Sequence, residues 1–504
     1  MLINNSSSRW RCRLPESALK LPVRPDTYRC SWQLSKPPDQ TTWWVEGDVM
    51  LYGGRQPAGN VYGRAPINVT QSPTGGISYG APQFFDYPVV FGRMVNGKNV
   101  ILVDARLQVW EADRKLGIIA GANANFDAWA ALVGNGIPTT QDVLVDSGVV
   151  QLTHLDAFAA RAPIEETRYP RAPFEDDDPS FLAKFRQSCY QSWADAEATV
   201  AIEYQISAGL YGGYHFHVTF SPTVKIELHT PIPIKDFFTS WVLPLHGLLS
   251  ASTGVNENIT YWSCSPLLQD DDRPASQRQF QVFVRWVEQE PYASDNNLSD
   301  KQASAIRLAE GDSLLKLLRR WQTLESEQNP ILNTYDVQSL GPEQTPRARF
   351  LLLVQALEGL CGHEKRLEEE RTKFQAKRAR IIADCRDALS GSDFRFLNYW
   401  LPSTPSNLSD TLAVMLRELP VDLEGELAQS DLVKTVVERV GNVSTTLEAL
   451  QYVRNKLSHG TETFDPHDLH IVASILNRAV RGHLFRLLES SPAAQIRVVS
   501  AQDR

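Results

Sequence analysis

The chain has 504 residues, 42% of them hydrophobic and 22% charged, a balance that excludes a wholly disordered protein. Its length suits two to four domains of roughly 100–200 residues each. A net charge of −9 excludes a uniformly basic nucleic-acid coat protein. It leaves room for a local nucleic-acid site, because counterion release depends on the contacting patch. The charge is uneven: residues 1–300 carry net −8 and ten of the twelve tryptophans, residues 301–504 only net −1.

The opening MLINNSSSRWRCRL has no apolar core of signal-peptide length, which argues against secretion by that route. Phe237–Leu249 is too short to span a bilayer and contains Pro244 and His246. Cys12, Cys30, Cys189, Cys264, Cys361 and Cys385 are scattered without a CxxC pair. That argues against a zinc ribbon or disulfide framework and suits a reducing compartment. The expectation is a soluble, cytoplasmic protein with no membrane partner, no cofactor and no metal.

Strand-like runs fill the first 300 residues: Thr41–Tyr52, Val100–Trp110, Val143–Leu152, Thr199–Ile206, Tyr214–Leu228 and Gln279–Val287. Turn formers separate them, including Gly53-Gly54, Gly75-Gly76, Asn96-Gly97 and Gly212-Gly213. Asn96-Gly97 predicts a type I′ hairpin, in which both central residues take positive φ. Few intervening pieces could serve as helical crossovers, so the sheet reads as antiparallel, a sandwich or barrel-like. Ile234–Leu249 reads as a buried helix within this region.

Pro291–Asp300 is polar and turn-rich, and from Lys301 the apolar period becomes helical, with Asp300 a candidate cap. Ile306, Leu314, Leu315, Leu318 and Trp321 suit one helix. Arg347–Leu389 reads as a long helical stretch with a weak point at Gly359 and Gly362. Further helices are expected at Leu408–Leu419, Asp431–Val440, Thr445–Leu457 and Asp468–Leu488, the last lined by Leu469, Val472, Leu476, Ala479, His483 and Leu487. The fold class is therefore α+β multidomain: a β-rich region over 1–295, an all-α bundle over 300–490 and a tail over 491–504.

The segment Tyr452-Val-Arg-Asn-Lys-Leu-Ser-His-Gly460 admits two readings. In one, a helix simply ends here: Gly460 supplies a left-handed cap, and Arg454, Lys456 and His459 favour the negative end of the helix dipole. In the other, a helix loosened near Ser458 lets Arg454, Asn455 and His459 converge on one cleft. A guanidinium can clamp a phosphate, a histidine can move a proton and an amide can orient a hydroxyl. Those parts suffice for metal-free RNA cleavage.

An Arg, then a polar residue, then a His near a helix end in an all-α C-terminal region resembles the R-x4-6-H motif of the HEPN superfamily. RNKLSHG, preceded by a long helix bearing ALEGL, resembles the ApeA-like HEPN proteins of bacterial antiphage defence. The resemblance implies catalytic roles for Arg454 and His459, with Asn455 as the polar residue between them. It also implies a supporting carboxylate on an earlier helix, for which Glu358 is the candidate; Lys456 is a further supporting candidate. It implies a site shared between two copies, hence a homodimer or higher oligomer. The implied function is an abortive-infection endoribonuclease cutting host RNA, with tRNA a candidate, released by a phage-derived trigger sensed through a regulatory N-terminal region. Two non-catalytic rivals stand beside it: a HEPN-like domain for nucleotide binding or dimerisation, and a tryptophan-rich β-domain that binds glycan or peptide.

Other strings carry less. Gly76-Ile-Ser-Tyr-Gly80 matches the nucleophile-elbow pattern around Ser78, but Pro82 and Pro88 oppose the helix that must follow. His215 and His217 share a strand face without a placed third ligand, and Glu175–Asp178 reads as an acidic turn. No GxxxxGK[ST] is present. The basic run Arg371–Arg380 could meet RNA phosphate, or pair within its helix with Glu368–Glu370.

Overall fold

A computed structural model of the chain describes residues 17–35, 41–71, 77–78, 80, 82–115, 118–136, 142–168, 182–186, 189–211, 215–268, 278–292, 304–335, 344–386, 388–401 and 408–500. The Gly75-Gly76 and Gly212-Gly213 turns, the Glu175–Asp178 run and the Asp300 cap lie outside them. The described chain divides into two units. The first takes residues 1–246, 257–304 and 308–315; the second takes 247–256, 305–307 and 316–504.

Twelve strands of the first unit form one sheet: β1 (Asp26–Ser35), β2 (Thr42–Leu51), β3 (Ala58–Val61), β4 (Gln83–Met94), β5 (Asn99–Lys115), β6 (Ile118–Gly134), β7 (Leu144–Leu152), β8 (Gln191–Ala194), β9 (Ala198–Tyr211), β10 (His215–Pro233), β11 (Ile259–Pro266) and β12 (Phe280–Val284). Their order is β8-β9-β10-β7-β11-β12-β6-β3-β2-β1-β4-β5, and β5 also pairs with β6. The last six strands therefore close into an antiparallel barrel. One edge of β6 pairs with β5; the other is divided between β3 at Ala124–Asp127 and β12 at Ala130–Val133. This one strand thus belongs to the barrel and starts the six-stranded extension.

The barrel interior explains its glycines. Trp32 is fully buried, edge-on to Phe126 with ring centroids 5.0 Å apart. A Cβ at Gly47 or Gly92, on the two strands flanking β1, would come within 2.7 Å or 2.5 Å of the Trp32 indole. Small barrels are filled by side chains, and here two glycines make room for the largest. The cavity left beside Trp32, Leu34, Tyr87 and Phe126 is about 10 Å³, space for a water and not for a ligand.

The hairpin around Asn96-Gly97 forms between β4 and β5, but not as a type I′ turn. Gly97 has φ 83°, whereas Asn96 is not among the positive-φ residues. Met94 N–H reaches the Lys98 carbonyl at 2.8 Å, and Gly97 N–H reaches the Met94 carbonyl at 3.0 Å. The Asn96 side chain accepts from Lys98 N–H at 3.1 Å, which holds a three-residue loop with a single left-handed position. Ile77–Ser78 forms a two-residue strand paired with Thr70–Gln71, so Ser78 sits in a β-ladder and not at a strand-to-helix elbow.

In the extension, β11 and β12 are buried along their whole length, with Thr260, Ser263, Ser265 and Gln281 buried among the apolar residues. The expected buried helix forms as Ile234–Phe237, a π turn over Phe238–Val242, and α1 (Leu243–Thr253). Phe237 stacks on Trp262, and Phe238 contacts Trp129, Trp262 and Trp286. Of these tryptophans Trp262 is fully buried, whereas Trp129 and Trp286 are half-buried.

The second unit is helical: α2 (Leu314–Ser326, begun in the first unit), α3 (Pro346–His363), α4 (Glu368–Arg386), α5 (Gly391–Trp400), α6 (Leu408–Arg417), α7 (Leu423–Gln429), α8 (Asp431–Arg439), α9 (Thr446–His459), α10 (Pro466–Leu487) and α11 (Pro492–Ser500). The stretch read as one helix over Arg347–Leu389 breaks after His363, just past Gly362, and Lys365 there has φ 52°. Ile306 is buried but precedes α2. α10 is the central helix and is buried on more than one side, including Asn477, Arg478, Arg481 and His483. The residues read as a C-terminal tail hold α11, which buries Ala494, Val498 and Val499. Arg478 Nε donates to the Val499 carbonyl at 2.7 Å, tying α11 to α10.

Arg481 shows why residues 247–256 belong to this unit. It is 1% exposed, and its Nε and Nη2 donate to the carbonyls of Ala251 and Ser252 at 2.7 and 2.9 Å. Those are among the last carbonyls of α1, which no helical N–H can satisfy. Gly254, at φ 85°, ends that helix where a Cβ would press within 2.5 Å of the guanidinium.

Candidate active site on helix α9

α9 is strongly specified at both ends. Thr445 and Glu448 form a reciprocal capping box at its start. At its end Gly460 is left-handed, with Gly460 N–H on the Leu457 carbonyl at 3.2 Å and Thr461 N–H on the Lys456 carbonyl at 3.1 Å. Arg347 of α3 also donates to the Leu457 carbonyl. Leu447, Leu450, Val453 and Leu457 form the buried face.

Arg454 lies beside that face with its side chain one-third exposed. Its Nη2 meets Glu358 Oε2 at 3.2 Å, and its Nη1 donates to Asn455 Oδ1 at 3.1 Å. The structure thus brings three of the five candidates together, two from α9 and Glu358 from α3. Lys456 points elsewhere, its ammonium 5.3 Å from the centre of the Tyr452 ring.

His459 is exposed on the last turn of α9. The loosening expected near Ser458 does not occur, because the caps and the Arg347 bond keep the helix regular through His459. Five residues on a regular helix correspond to about 140° of rotation and about 7.5 Å of rise. Arg454 and His459 of one chain therefore leave the helix on different sides, while Asn455 and His459, four apart, share one.

One feature of this surface has only a faint sequence signal. Glu462, just past the Gly460 cap, accepts from Tyr452 Oη at 2.8 Å and pairs with Arg439 of α8. The Tyr452 hydrogen bond is the main cause holding its carboxyl below the usual range, and Arg439 adds to it. Among the described residues no group of three or more His, Cys, Asp or Glu could hold a metal ion. His217 is exposed on β10, and the side chain of His215 lies outside the described set. The five described cysteines are free. No described helix is long and apolar enough to cross a membrane.

Together the fold and site define a class: a barrel-containing β-region followed in the chain by a helical bundle that displays an Arg–Asn–Glu cluster and an exposed histidine. Residues 60–321, just over half of the chain, match the family described as ApeA N-terminal domain 1, and the chain belongs to that family. The match ends before the helices that carry Glu358, Arg454 and His459. No curated protein and no solved structure matches the chain.

Proposed function

We propose that the protein is an antiphage-defence effector whose helical unit is a metal-independent HEPN endoribonuclease acting on host RNA, with tRNA the candidate target. The observation that carries this reading is Arg454, held by Glu358 and Asn455 with its side chain one-third exposed, on the helix that ends in exposed His459. The two bonds use only part of the guanidinium's five N–H groups, which leaves donors for a phosphate. Arg454 clamps the scissile phosphate and stabilises its developing charge. His459 serves as general base or acid, and Asn455 orients a ribose or phosphate oxygen. The ribose 2′-hydroxyl loses its proton and attacks the adjacent phosphorus. The 5′-oxygen leaves with a proton, giving a 2′,3′-cyclic phosphate and a 5′-hydroxyl.

The rotation between Arg454 and His459 supports a site completed by a second copy, one chain's histidine facing the other's arginine across a two-fold axis. On this reading the cytoplasmic homodimer is the catalytic unit. A phage-derived trigger acts through the β-region.

Incubation of wild type and His459→Ala with total RNA, with and without EDTA, tests the reading. Cleavage by wild type that survives EDTA, leaves cyclic phosphates and vanishes in His459→Ala is expected. Loss of all cleavage in EDTA overturns the mechanism. Partial activity in mixtures of Arg454→Ala and His459→Ala chains supports the shared site. The rival reading, a non-catalytic bundle in which Arg454–Glu358 is only a structural tie, predicts uncut RNA throughout.

A further inference from the structure

The helical hairpin of α4 and α5 buries no residue in either helix. Its helices run antiparallel: Arg378 of α4 donates to the Asn398 carbonyl and Oδ1 on α5, and Arg386 lies over Phe394. Isolated charges on an exposed helix need no explanation, but this hairpin combines two unusual features. The hairpin as a whole, residues 368–400, carries seven Lys and Arg against six Asp and Glu, but three of those carboxylates, Glu368–Glu370, sit in the first turn of α4, and residues 371–395 hold seven against three. α5 also exposes a contacting aromatic trio, Phe396, Tyr399 (81% exposed) and Trp400 (65%). Trp400 lies 6.0 Å from Phe396 and 5.4 Å from Tyr399, ring centre to ring centre.

Lys373, Lys377 and Arg380 recur at helical spacing and form one exposed stripe along α4. Lys373 pairs with Glu369 at 2.6 Å, as the alternating charges suggested, but that accounts for one of the three. The half-buried positions are Arg371, Phe374, Arg378, Ile381, Ile382 and Cys385 on α4, and Phe394 and Leu397 on α5. Counted round from these, the basic stripe and the aromatic trio fall on the same flank, because antiparallel helices turn in opposite senses.

We propose that this flank binds single-stranded RNA, the basic stripe holding phosphates and Phe396, Tyr399 and Trp400 stacking bases. The proposal rests on the ribonuclease reading for its choice of RNA and deepens it, since α4 begins shortly after Glu358 and shares its end of α3. Cationic grooves with stacking aromatics are the chemistry that holds unpaired strands. A second copy of the chain fits less well: a two-fold contact of this flank would set the two basic stripes against each other, with like charges facing.

The test uses full-length chain carrying His459→Ala, so that binding is read without cleavage. Its probe is a fluorescent single-stranded RNA of roughly 20 nucleotides, beside DNA of the same sequence and an RNA duplex. Tyr399→Ala/Trp400→Ala is expected to weaken single-strand binding about tenfold. Lys373→Ala/Lys377→Ala/Arg380→Ala is expected to weaken it similarly and to flatten the dependence of log affinity on log salt by about 2. Circular dichroism and sedimentation should be unchanged in both. Preference for RNA over DNA supports the proposal; equal binding of both single strands supports the phosphate-and-base chemistry. Unchanged affinity in both variants overturns it, as does tighter binding of duplex. Dissociation of the oligomer by either variant without RNA also overturns it and makes the flank a subunit interface. Normal RNA cutting by the hairpin variants on an otherwise wild-type chain sinks this inference alone. Absence of cutting by wild type, with hairpin-dependent binding intact, sinks the ribonuclease alone.

Discussion

The barrel and the bundle solve the burial problem with different chemistry. The barrel core around Trp32 is almost wholly apolar, and its specificity lies in shape, with Gly47 and Gly92 opposite one indole. The bundle's central helix instead buries Asn477, Arg478, Arg481 and His483, each held by directed bonds or packed where few options exist. An apolar core tolerates rearrangement as long as volume is kept, whereas buried polar groups demand particular partners. The bundle should therefore be the less forgiving of the two when a single partner is removed.

The largest expected effect tests that contrast directly. Arg481→Met keeps much of the volume but removes the guanidinium donor of the Ala251 carbonyl and leaves the Ser252 carbonyl only the Ala305 N–H. It should destabilise the bundle by about 3 kcal/mol, read as a shift in the urea midpoint. Residues 296–504 expressed alone lack 247–256 and should show no cooperative thermal melt. A stable, cooperatively folding fragment would mean that Arg481 is not essential to the bundle.

Next is a dependence on pH that the barrel core, without titratable partners of this kind, should not share. Burial is the main cause pushing the His483 imidazole down to about 4, with nearby Arg486 and Arg366 adding to it. Its Nε2 lies 2.9 Å from the Met415 carbonyl, and its buried Nδ1 has no hydrogen-bond partner. Between about pH 6.5 and pH 4 the unfolded chain binds this proton and the folded chain does not, so stability falls as pH drops through that window. The loss should be on the order of 2 kcal/mol and should shrink in His483→Gln, measured as midpoints at pH 7 and pH 4.5.

Gly92→Ala probes the barrel's reliance on shape and should cost roughly 1–3 kcal/mol by pressing on Trp32. Trp32→Phe in the same chain should restore part of it, because the smaller ring frees the space. Additive losses in the double variant would show that glycine matters at this position for the backbone instead.

The expected helices and strands were legible wherever apolar period and turn chemistry agreed. The alternation of β2 and β5, the RNKLSH helix and its Gly460 cap all follow local rules. α5 and α7 were not legible, because each is short and α5 buries nothing that would impose a period. Asn96-Gly97 signalled a hairpin, but the Asn96 side chain selected a different turn. At the candidate site, Arg454, Asn455 and His459 could be named from their order and chemistry. Glu358 could be named only as a carboxylate in an apolar run.

By itself the sequence determined the division into a strand-rich and a helix-rich half, the positions of most elements, and a basic turn ending at glycine. Those are local or periodic properties, written in neighbouring residues. Only the tertiary structure decided that the strands close a barrel through β6, that Arg454 meets Glu358 from a helix some ninety-six residues earlier, and that Arg481 recruits residues 247–256 into the bundle. It also decided that α9 stays regular through His459, which separates the arginine and histidine of one chain. Each depends on partners distant in sequence, whose meeting is fixed by packing and by buried groups that must find a bond.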